Sequence, residues 1–523
     1  MEKVTLVYTT DSHGHVTSDS YFTKGKSEYG LAHVAEKIAE IRKEGQELIY
    51  FDNGDAISGS LLSIRCAEDL RLANPMVTVL NELDCSFAVI GNHEFDFGLK
   101  YLEKVIDQSK FPWLAGNIQK KSSNQAYFGA SHLIHETAKG NRIAFIGATT
   151  PETAELAYAE DTKQMKIVSP LDVLARQIKE VRAKDADFIV VCYHGGYDKG
   201  LNYWQHQSNE EGLESEITAA FPEIDLFVTG HTHGRISNVE VDGVHTIQAG
   251  CNGMYLGRID LHFKDEKDLF EQDKNYSLKS KLVSMTNVGL NEKIMSVTAK
   301  AVASTEEWLE EVIAESLDSF TVKSSTDPFV KPNRLISLIH DVIRDYSGCD
   351  ITVAHYWDMT GWPKGPVTRR QLLNLLPENY IHTLKISGAD MKAALERTAQ
   401  FFSLSEDERC LISTKFYDYD LWSGVSYSVD ISKPFGERII NLVYNGEPID
   451  LDERYQVAFF HFRTGGALGY GMLSNYRATW KSEHTIREYL FKYLEHNPQL
   501  KTPVEYNWKV MKEDILVEEA FYE

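Results

Sequence analysis

The 523-residue chain lacks several features that mark particular protein classes. Its six cysteines form no CxxC pair, which argues against a zinc knuckle or a small disulfide framework. No apolar run approaches about 18 residues, and no signal-peptide pattern opens the sequence, so we expect a cytoplasmic protein. Basic residues are also scarce. The formal net charge of -23 argues against duplex DNA, long RNA or an anionic membrane surface as a partner.

Length and composition predict a multidomain globular protein. Hydrophobic residues make up 43% of the chain and charged residues 25%, which is ordinary for soluble proteins. A chain of this length exceeds one ordinary core, so we expect two or three domains. We predict an α/β domain over 1–285, a linker helix within 286–325 and an α+β domain over 326–523. The linker helix is predicted from apolar residues at helical spacing between Lys293 and Phe320.

Five predicted strands of the first domain end in residues that can bind metal ions. Strand and helix patterns alternate along this domain, and in layered α/β folds ligands bind at the carboxyl ends of strands. One shared site explains five such endings more simply than five unrelated polar turns. The residues at these strand ends are Asp11, His13, Asp55, Asn92, His194, His231 and His233.

The residue types at the strand ends indicate a transition-metal site. Imidazole and carboxylate groups without a thiolate favour Mn²⁺, Zn²⁺, Fe or Co²⁺ over Mg²⁺ and Ca²⁺. Seven ligands exceed the need of one tetrahedral ion and fit two ions about 3.5 to 4 Å apart. Such a pair positions a water or hydroxide for in-line attack on phosphorus. We predict that Asp55 bridges the two ions.

The turn Gly91–Asp96 adds acid–base chemistry to the predicted metal site. Gly91 allows a bend where a side chain would clash, and His93 titrates near neutral pH. Asp96 is placed to orient the His93 imidazole. Read alone, the turn is equally typical of a strand that ends in a surface histidine.

Five motifs together resemble the calcineurin-like metallophosphoesterase superfamily. In chain order they are Asp11-x-His13, Gly54-Asp55, Gly91-Asn92-His93-Glu94, His194 before glycine, and Gly230-His231-x-His233. Further segments are similar to bacterial 5'-nucleotidases, the two-domain type that includes 2',3'-cyclic phosphodiesterases. These segments are Glu94-Phe95-Asp96, Ile247–Gly250, Leu384-x-Ile386-Ser387-Gly388-Ala389 and Ser423-Gly424-Val425. The resemblance covers nearly the whole chain.

The resemblance implies a fold, two metal sites and a catalytic histidine. The fold is a four-layer α/β/β/α sandwich carrying a dimetal centre, over which a nucleotide-binding C-terminal domain closes. His93, paired with Asp96, is the implied charge stabiliser or general acid near the leaving oxygen. The implied ligands are Asp11, His13, Asp55 and His233 for one ion, and Asp55, Asn92, His194 and His231 for the other.

The second domain departs from the family at substrate positions. Family members with nucleotidase activity usually carry Asn-x-Gly-Gly-Ile-Arg, whose arginine holds the phosphate, whereas Met359 stands near that position here. Pro-Phe-x-Asn becomes Pro377-Glu-Asn-Tyr380, and Gly-Gly-Asp-Gly-Tyr becomes Gly465-Gly-Ala-Leu-Gly-Tyr470, without the ribose-binding carboxylate. The remaining predicted substrate contacts are Asn333, Phe460 and Phe462, and the arginines that could replace the missing one are Arg334, Arg369, Arg370 and Arg463.

The sequence therefore predicts a cytoplasmic, two-domain, dimetal phosphohydrolase for nucleotides or other small phosphoesters. One alternative is a phosphomonoesterase or cyclic phosphodiesterase whose substrate is not a 5'-nucleotide, which the altered second domain favours. Another is a non-catalytic ligand-binding or sensing protein on the same fold. A binding protein would not need the general acid His93, so this last alternative is the weaker one. The oligomeric state is left unpredicted.

Overall fold

The computed structural model describes residues 2–17, 29–151, 153, 163–196, 213–264, 274–356, 359–376, 379–413 and 419–522. The chain forms two compact units, Met1–Glu306 and Glu307–Glu523. The division falls inside one helix, and the predicted domain limits at 285 and 325 stay predictions. Among the described residues, no helix is both long and apolar enough to cross a membrane.

Strands and helices alternate through the first unit, as the sequence predicts. Its strands are β1 (Glu2–Thr9), β2 (Glu47–Asp52), β3 (Ala88–Val89), β4 (Trp113–Leu114), β5 (Ile118–Lys120), β6 (His132–Glu136), β7 (Arg142–Thr149), β8 (Met165–Ile167), β9 (Phe188–His194), β10 (Leu226–Thr229), β11 (Arg235–Val241), β12 (Val244–Ala249), β13 (Tyr255–Phe263) and β14 (Tyr276–Ser284). Its helices are α1 (Leu31–Arg42), α2 (Leu61–Glu68), α3 (Pro75–Glu82), α4 (Leu99–Gln108), α5 (Pro170–Arg182), α6 (Glu214–Ala220) and α7 (Glu292–Leu309).

Two six-stranded sheets form the centre of the first unit. Their strand orders are β14-β13-β1-β2-β3-β4 and β11-β12-β10-β9-β7-β6. The sheets pack face to face, because alternate residues of both, such as Leu6, Phe51, Phe145 and Val190, share one buried core. Helix α5 packs on the outer face of the second sheet. Helices α1 to α4 connect consecutive parallel strands of the first sheet along the chain. The predicted α/β fold is confirmed.

Strands and helices of the second unit form an α+β arrangement. Its strands are β15 (Val312–Ser316), β16 (Ile351–Ala354), β17 (Gly365–Thr368), β18 (Ile381–Ser387), β19 (Phe402–Leu404), β20 (Cys410–Ile412), β21 (Leu421–Ser423), β22 (Ser426–Asp430), β23 (Ile439–Tyr444), β24 (Glu447–Pro448), β25 (Arg454–Phe460), β26 (Trp480–Lys481), β27 (Gln499–Leu500), β28 (Trp508–Lys512), β29 (Ile515–Leu516) and β30 (Phe521–Tyr522). Its helices are α8 (Asp327–Val330), α9 (Arg334–Ser347), α10 (Arg369–Leu375), α11 (Gly388–Ala399), α12 (His461–Thr464) and α13 (Ile486–His496).

The main sheet of the second unit has the order β21-β16-β25-β18-β26. Helix α9 supplies Leu335, Leu338, Ile339 and Val342 to the core beneath it, at the three- and four-residue spacing of a buried helical face. A second five-stranded sheet, β24-β23-β22-β28-β29, and two three-stranded sheets complete the described part of the unit.

The predicted linker helix is wrong in its C-terminal part. Helix α7 ends at Leu309, and Val312–Ser316 form strand β15 instead. The strand pairs with β17 and β27, which lie far away in sequence. Its β-branched Val312 and Ile313 suit a strand, but they also fit the helical spacing of the preceding segment. Local periodicity cannot reveal these pairing partners.

Several strands of the first unit were not predicted, among them β11 and β14. Strand β11 pairs with β12, and β14 pairs along its whole length with β13. The segment from Lys264 to Asn291 is polar and has no strong periodicity from which a strand could be predicted. Strand β14 lies at the edge of its sheet, and exposed residues such as Lys279 and Lys281 explain that polarity.

Candidate metal centre

The carboxyl ends of five strands bring the seven predicted ligands together. Strands β1, β2 and β3 are neighbours in the first sheet, and β9 and β10 are neighbours in the second. Two groups of ligand atoms each lie within 4.8 Å of one another: Asp11, His13 and His233, and Asp55, His194 and His231. Asn92 adjoins the second group, because its Oδ1 lies 2.9 Å from His231 Nδ1.

The first group holds two imidazole nitrogens in contact. His13 Nε2 lies 3.0 Å from His233 Nε2, and His233 Nε2 lies 3.6 Å from Asp11 Oδ1. His13 Nδ1 donates to the Ser58 carbonyl at 3.2 Å, which leaves Nε2 as the acceptor of the neutral ring. Burial lowers the pKa of His13 to about 3, so this ring stays neutral and suited to metal binding.

The second group sets a histidine nitrogen against a carboxylate. His194 Nδ1 donates to the Asn53 carbonyl at 2.7 Å, and its Nε2 lies 3.0 Å from Asp55 Oδ2. Burial disfavours the charged ring, yet the carboxylates of Asp55 and Asp11 raise the pKa of His194 to about 10. The two groups adjoin, since His194 Nε2 also lies 3.8 Å from Asp11 Oδ1.

This donor set fits divalent cations. His194 Nε2 and Asp55 Oδ2 are buried and face each other at 3.0 Å. The side chains of Asp11 and Asp55 are almost fully buried, and both are carboxylates. A metal cation between the facing atoms would replace the proton that they share and bind both. The other Asp55 oxygen accepts the backbone N–H of His93 at 2.8 Å.

The backbone is unusual at most of the predicted ligands. Five non-glycine residues among them have positive φ: 52° at Asp11, 45° at His13, 55° at Asp55, 65° at His231 and 57° at His233. This left-handed conformation costs roughly 1 to 3 kcal/mol per residue and is concentrated at functional sites. The local sequence gives no sign of this strain.

Glycines let the strand ends approach one another. A Cβ atom at Gly91 would overlap Asp55 Oδ1 and lie 2.9 Å from His194 Cδ2. At Gly54, where φ is 94°, it would lie 2.7 Å from His194 Nδ1. The prediction that Gly91 stands where a side chain would clash is therefore confirmed.

His93 stands beside both groups and belongs to neither. It begins a 3-10 turn, and its Nδ1 lies 2.9 Å from Asp96 Oδ2, which confirms the predicted pairing. Ser58 Oγ donates to the same Asp96 oxygen at 2.6 Å. The His93 side chain is 40% exposed, so one face can meet a substrate. Burial opposes protonation of His93, but Asp55 and Asp96 raise its pKa to about 10.

Glu94 is an important residue to which the sequence assigned no role. Its carboxylate is fully buried and accepts backbone N–H groups of Gly91 at 2.7 Å, Asp55 at 2.9 Å, Ala56 at 2.7 Å and Ile57 at 3.3 Å. These bonds tie the turn after β3 to the turn after β2. The only sequence signal is a carboxylate inside the turn motif, directly after His93.

Asn333, a predicted substrate contact, has a structural role in the second unit. Its Oδ1 accepts the backbone N–H groups of Leu335 and Ile336 and so caps α9. Its Nδ2 donates to the Tyr356 hydroxyl at 2.6 Å. Its contact with a substrate stays a prediction.

The two predicted stacking rings differ in exposure. Phe460 is 1% exposed and packs in the core against His355, with ring centroids 5.0 Å apart. A ring enclosed in this way offers no face to a base, so the prediction is wrong for Phe460. Phe462 is only partly buried, and its stacking role stays a prediction.

The four arginines considered as replacements for the missing clamp all have carboxylate partners. The pairs are Arg334 with Asp318 at 3.8 Å, Arg369 with Glu311 at 2.7 Å, Arg370 with Glu310 at 3.0 Å and Arg463 with Asp420 at 2.9 Å. Met359 packs partly against the core. Positions 357–358 and 377–378, where the sequence also departs from the family, lie outside the described residues.

Two family profiles match the chain, one in each unit. The profile for calcineurin-like phosphoesterases matches residues 4–235, and the profile for the 5'-nucleotidase C-terminal domain matches residues 312–475. The first family implies divalent metal ions, in agreement with the donor groups at the strand ends.

Curated relatives match along nearly the whole chain. The trifunctional nucleotide phosphoesterase YfkN of Bacillus subtilis is 22% identical over 97% of this chain, which spans 39% of that protein. A 2',3'-cyclic-nucleotide 2'-phosphodiesterase/3'-nucleotidase of Haemophilus influenzae is 23% identical, covering 96% of this chain and 87% of its own. UshA of Escherichia coli is 26% identical, and the match covers 96% of this chain and 92% of UshA.

Solved structures share the fold. A Staphylococcus aureus protein in complex with alpha-ketoglutarate superposes with a TM-score of 0.81 at 24% identity, over 98% of this chain and 100% of that one. A 5'-nucleotidase precursor of Thermus thermophilus superposes with a TM-score of 0.61 at 20% identity, over 97% of this chain and 99% of that one. The chain belongs to the family of phosphoric ester hydrolases that join a calcineurin-like phosphoesterase domain to a 5'-nucleotidase C-terminal domain.

Proposed function

We propose that this protein hydrolyses a phosphoester bond of a small substrate, most directly a nucleotide, with two divalent transition metal ions. The carrying observation is the convergence of imidazole and carboxylate donors from five strand ends, with His13 Nε2 3.0 Å from His233 Nε2 and His194 Nε2 3.0 Å from Asp55 Oδ2. The residues that would hold the ions are Asp11, His13, Asp55 and His233 for one, and Asp55, Asn92, His194 and His231 for the other.

The chain's own groups prepare the ligand atoms for that task. Backbone carbonyls of Ser58 and Asn53 accept the Nδ1 protons of His13 and His194, so both rings present Nε2 to the site. When bound, two such ions polarise the phosphoryl oxygens and lower the pKa of the attacking water. Manganese, zinc, iron and cobalt all suit this mixture of imidazole, amide and carboxylate donors.

His93 supplies the charge or the proton for the leaving oxygen in this proposal. It touches neither ligand group through its ring nitrogens, and its side chain is partly exposed beside His13. Asp96 holds Nδ1, and Ser58 holds Asp96, so the ring orientation is fixed before substrate arrives. The free Nε2 is the atom that would donate.

The names of the relatives support a nucleotide substrate but not one position of its phosphate. The Vibrio cholerae relative is named 5'-nucleotidase, whereas the Haemophilus influenzae relative is named for 2',3'-cyclic nucleotides and 3'-nucleotides. Met359 near the usual arginine position favours the second candidate function, hydrolysis of a phosphoester other than a 5'-nucleotide. The cytoplasmic location finds no support in the comparisons and stays a prediction.

A phosphoester panel with Mn²⁺ tests the proposal. We expect hydrolysis of p-nitrophenyl phosphate and of at least one of AMP, 3'-AMP and 2',3'-cyclic AMP, with weak or atypical use of AMP. Asp55→Ala should abolish all of it. Hydrolysis of no substrate by metal-supplemented protein would refute the proposal. A strong preference for AMP would favour the 5'-nucleotidase activity over the second candidate and show that Met359 does not decide specificity.

A further inference from the structure

Arg235 differs from the paired arginines of the second unit. It is exposed at the start of β11, and its guanidinium carbon lies 4.9 Å from the centroid of the Tyr255 ring. Within the described part of the chain, no carboxylate lies within 4.0 Å of its nitrogens.

Backbone bonds fix Arg235 beside the metal centre. It pairs with Ala249 in the sheet, and Gly250 N donates to the Gly234 carbonyl at 2.8 Å. Two residues further, Asn252 N donates to the carbonyl of Asp11 at 2.7 Å. The segment from Ala249 to Asn252 therefore connects the strand of Arg235 to a predicted metal ligand.

The side chain of Arg235 runs along this segment. A Cβ atom at Gly250 would lie 3.6 Å from Arg235 Cγ and 3.5 Å from Tyr255 Cδ2, so arginine and tyrosine both lie over Gly250. Burial raises the pKa of the neighbouring Cys251 thiol to about 12, with Asp11 adding to this shift and Arg235 opposing it. The charges of Asp11 and Arg235 therefore both act on the Cys251 thiol, which places Arg235 near the metal centre.

The distance to the metal centre suits a substrate with two charged groups. Arg235 is two residues from His233, and two residues span at most about 7 Å. A phosphoryl group held at His233 would leave a second group of the same molecule within reach of the guanidinium. Stacking on Tyr255 fixes the guanidinium plane while its edge N–H groups stay available to a planar or tetrahedral anion.

We propose that Arg235, stacked on Tyr255, binds a second anionic group of the substrate, a phosphate or a carboxylate beyond the phosphoryl group that is cleaved. This rests on the proposed function, because it requires the cleaved group to lie at the metal centre. It also gives the first unit a specificity residue of its own, while Arg334, Arg369, Arg370 and Arg463 of the second unit are paired with carboxylates.

Steady-state kinetics of Arg235→Met with Mn²⁺ tests this role on three substrates. ADP has a second phosphate, AMP differs from it only by lacking that group, and p-nitrophenyl phosphate carries a single phosphoryl group. A charged hydrogen bond is worth about 1.5 to 3 kcal/mol, so kcat/KM for ADP should fall about 10- to 100-fold, mainly through KM. Turnover of AMP and p-nitrophenyl phosphate should stay within about twofold. Arg235→Lys should recover part of the loss.

The control is Arg176→Met, which removes an exposed arginine of α5 and should change none of the three values. An equal loss on ADP and p-nitrophenyl phosphate would contradict the proposal, because it would place Arg235 at the cleaved group. If Arg235→Met left the ADP kinetics unchanged, or if an enzyme that turns over p-nitrophenyl phosphate did not use ADP, the role of Arg235 would be overturned. The proposed function would stand in both cases. Failure of the unaltered enzyme on every phosphoester would instead overturn the proposed function and this role together.

Discussion

The metal centre of the first unit and the Asp420–Arg463 cluster of the second unit bury similar groups in opposite ways. Asp11 and His194 are 0% exposed in the first, and Asp420 and Arg463 are 1% exposed in the second. In the second unit a guanidinium closes on the carboxylate at 2.9 Å. In the metal centre the carboxylates of Asp11 and Asp55 face imidazole nitrogens, and among the described residues neither pairs with a lysine or an arginine.

The difference distinguishes a buried ion pair with a structural role, Asp420–Arg463, from a site that is suited to bind a ligand, the metal centre. Burial alone would raise the pKa of Asp420, but Arg463 and His355 hold it below its usual value. The negative charge of Asp420 is therefore compensated by side chains of the protein itself. The backbone agrees, because Asp420 and Arg463 have no positive φ, whereas five predicted metal ligands do. Buried carboxylates that face imidazoles, which are themselves metal ligands, on a strained backbone indicate a site for a cation.

Of the replacements in the two regions, that of His93 at the metal centre should have the largest effect, and the effect should be on kcat. His93→Ala should lower kcat by about 10² to 10⁴, because the leaving oxygen loses its charge stabiliser or acid. Metal content, measured by elemental analysis, should not change, since the His93 ring nitrogens belong to neither ligand group. The matched control His262→Ala alters a histidine of β13 and should retain full activity. Unchanged turnover in His93→Ala would remove His93 from the mechanism.

Replacing Arg463 should affect stability and leave the metal centre intact. Arg463→Met leaves the buried Asp420 without its guanidinium partner, which should lower the free energy of unfolding by about 3 to 5 kcal/mol. The control Arg409→Met breaks an ion pair whose side chains are 62% and 58% exposed, and it should cost less than about 1 kcal/mol.

Urea unfolding of the full chain, followed by tryptophan fluorescence, compares the two arginine variants. Their metal content should match that of the unaltered protein. If Arg463→Met were as stable as Arg409→Met, the buried Asp420 would not depend on Arg463 to compensate its charge.

The sequence was sufficient to predict the α/β fold and to select the residues that the strand ends bring together. A strand that ends in a histidine or aspartate is a local feature, and parallel strands place such endings at one edge. That is why His194 and His231, far from Asp55 in sequence, could be grouped with it. Their roles as metal ligands remain a proposal that the geometry supports.

Other features depend on contacts that a local pattern does not contain. Strand β15 was predicted as helix because its partners β17 and β27 lie far along the chain. Phe460 was predicted at the substrate because its position matched a motif, but the core around β25 encloses it. The four backbone N–H groups that converge on Glu94 come from two turns, so only the folded chain shows its role.

Elemental analysis after manganese supplementation tests the central claim most directly. The account predicts two transition metal ions per chain in the unaltered protein and a loss of metal in Asp55→Ala, whose carboxylate is proposed to serve both ions. Asp420→Asn, which changes a buried carboxylate that already has a cationic partner, should keep both ions. Finding no metal in the unaltered protein would contradict the account.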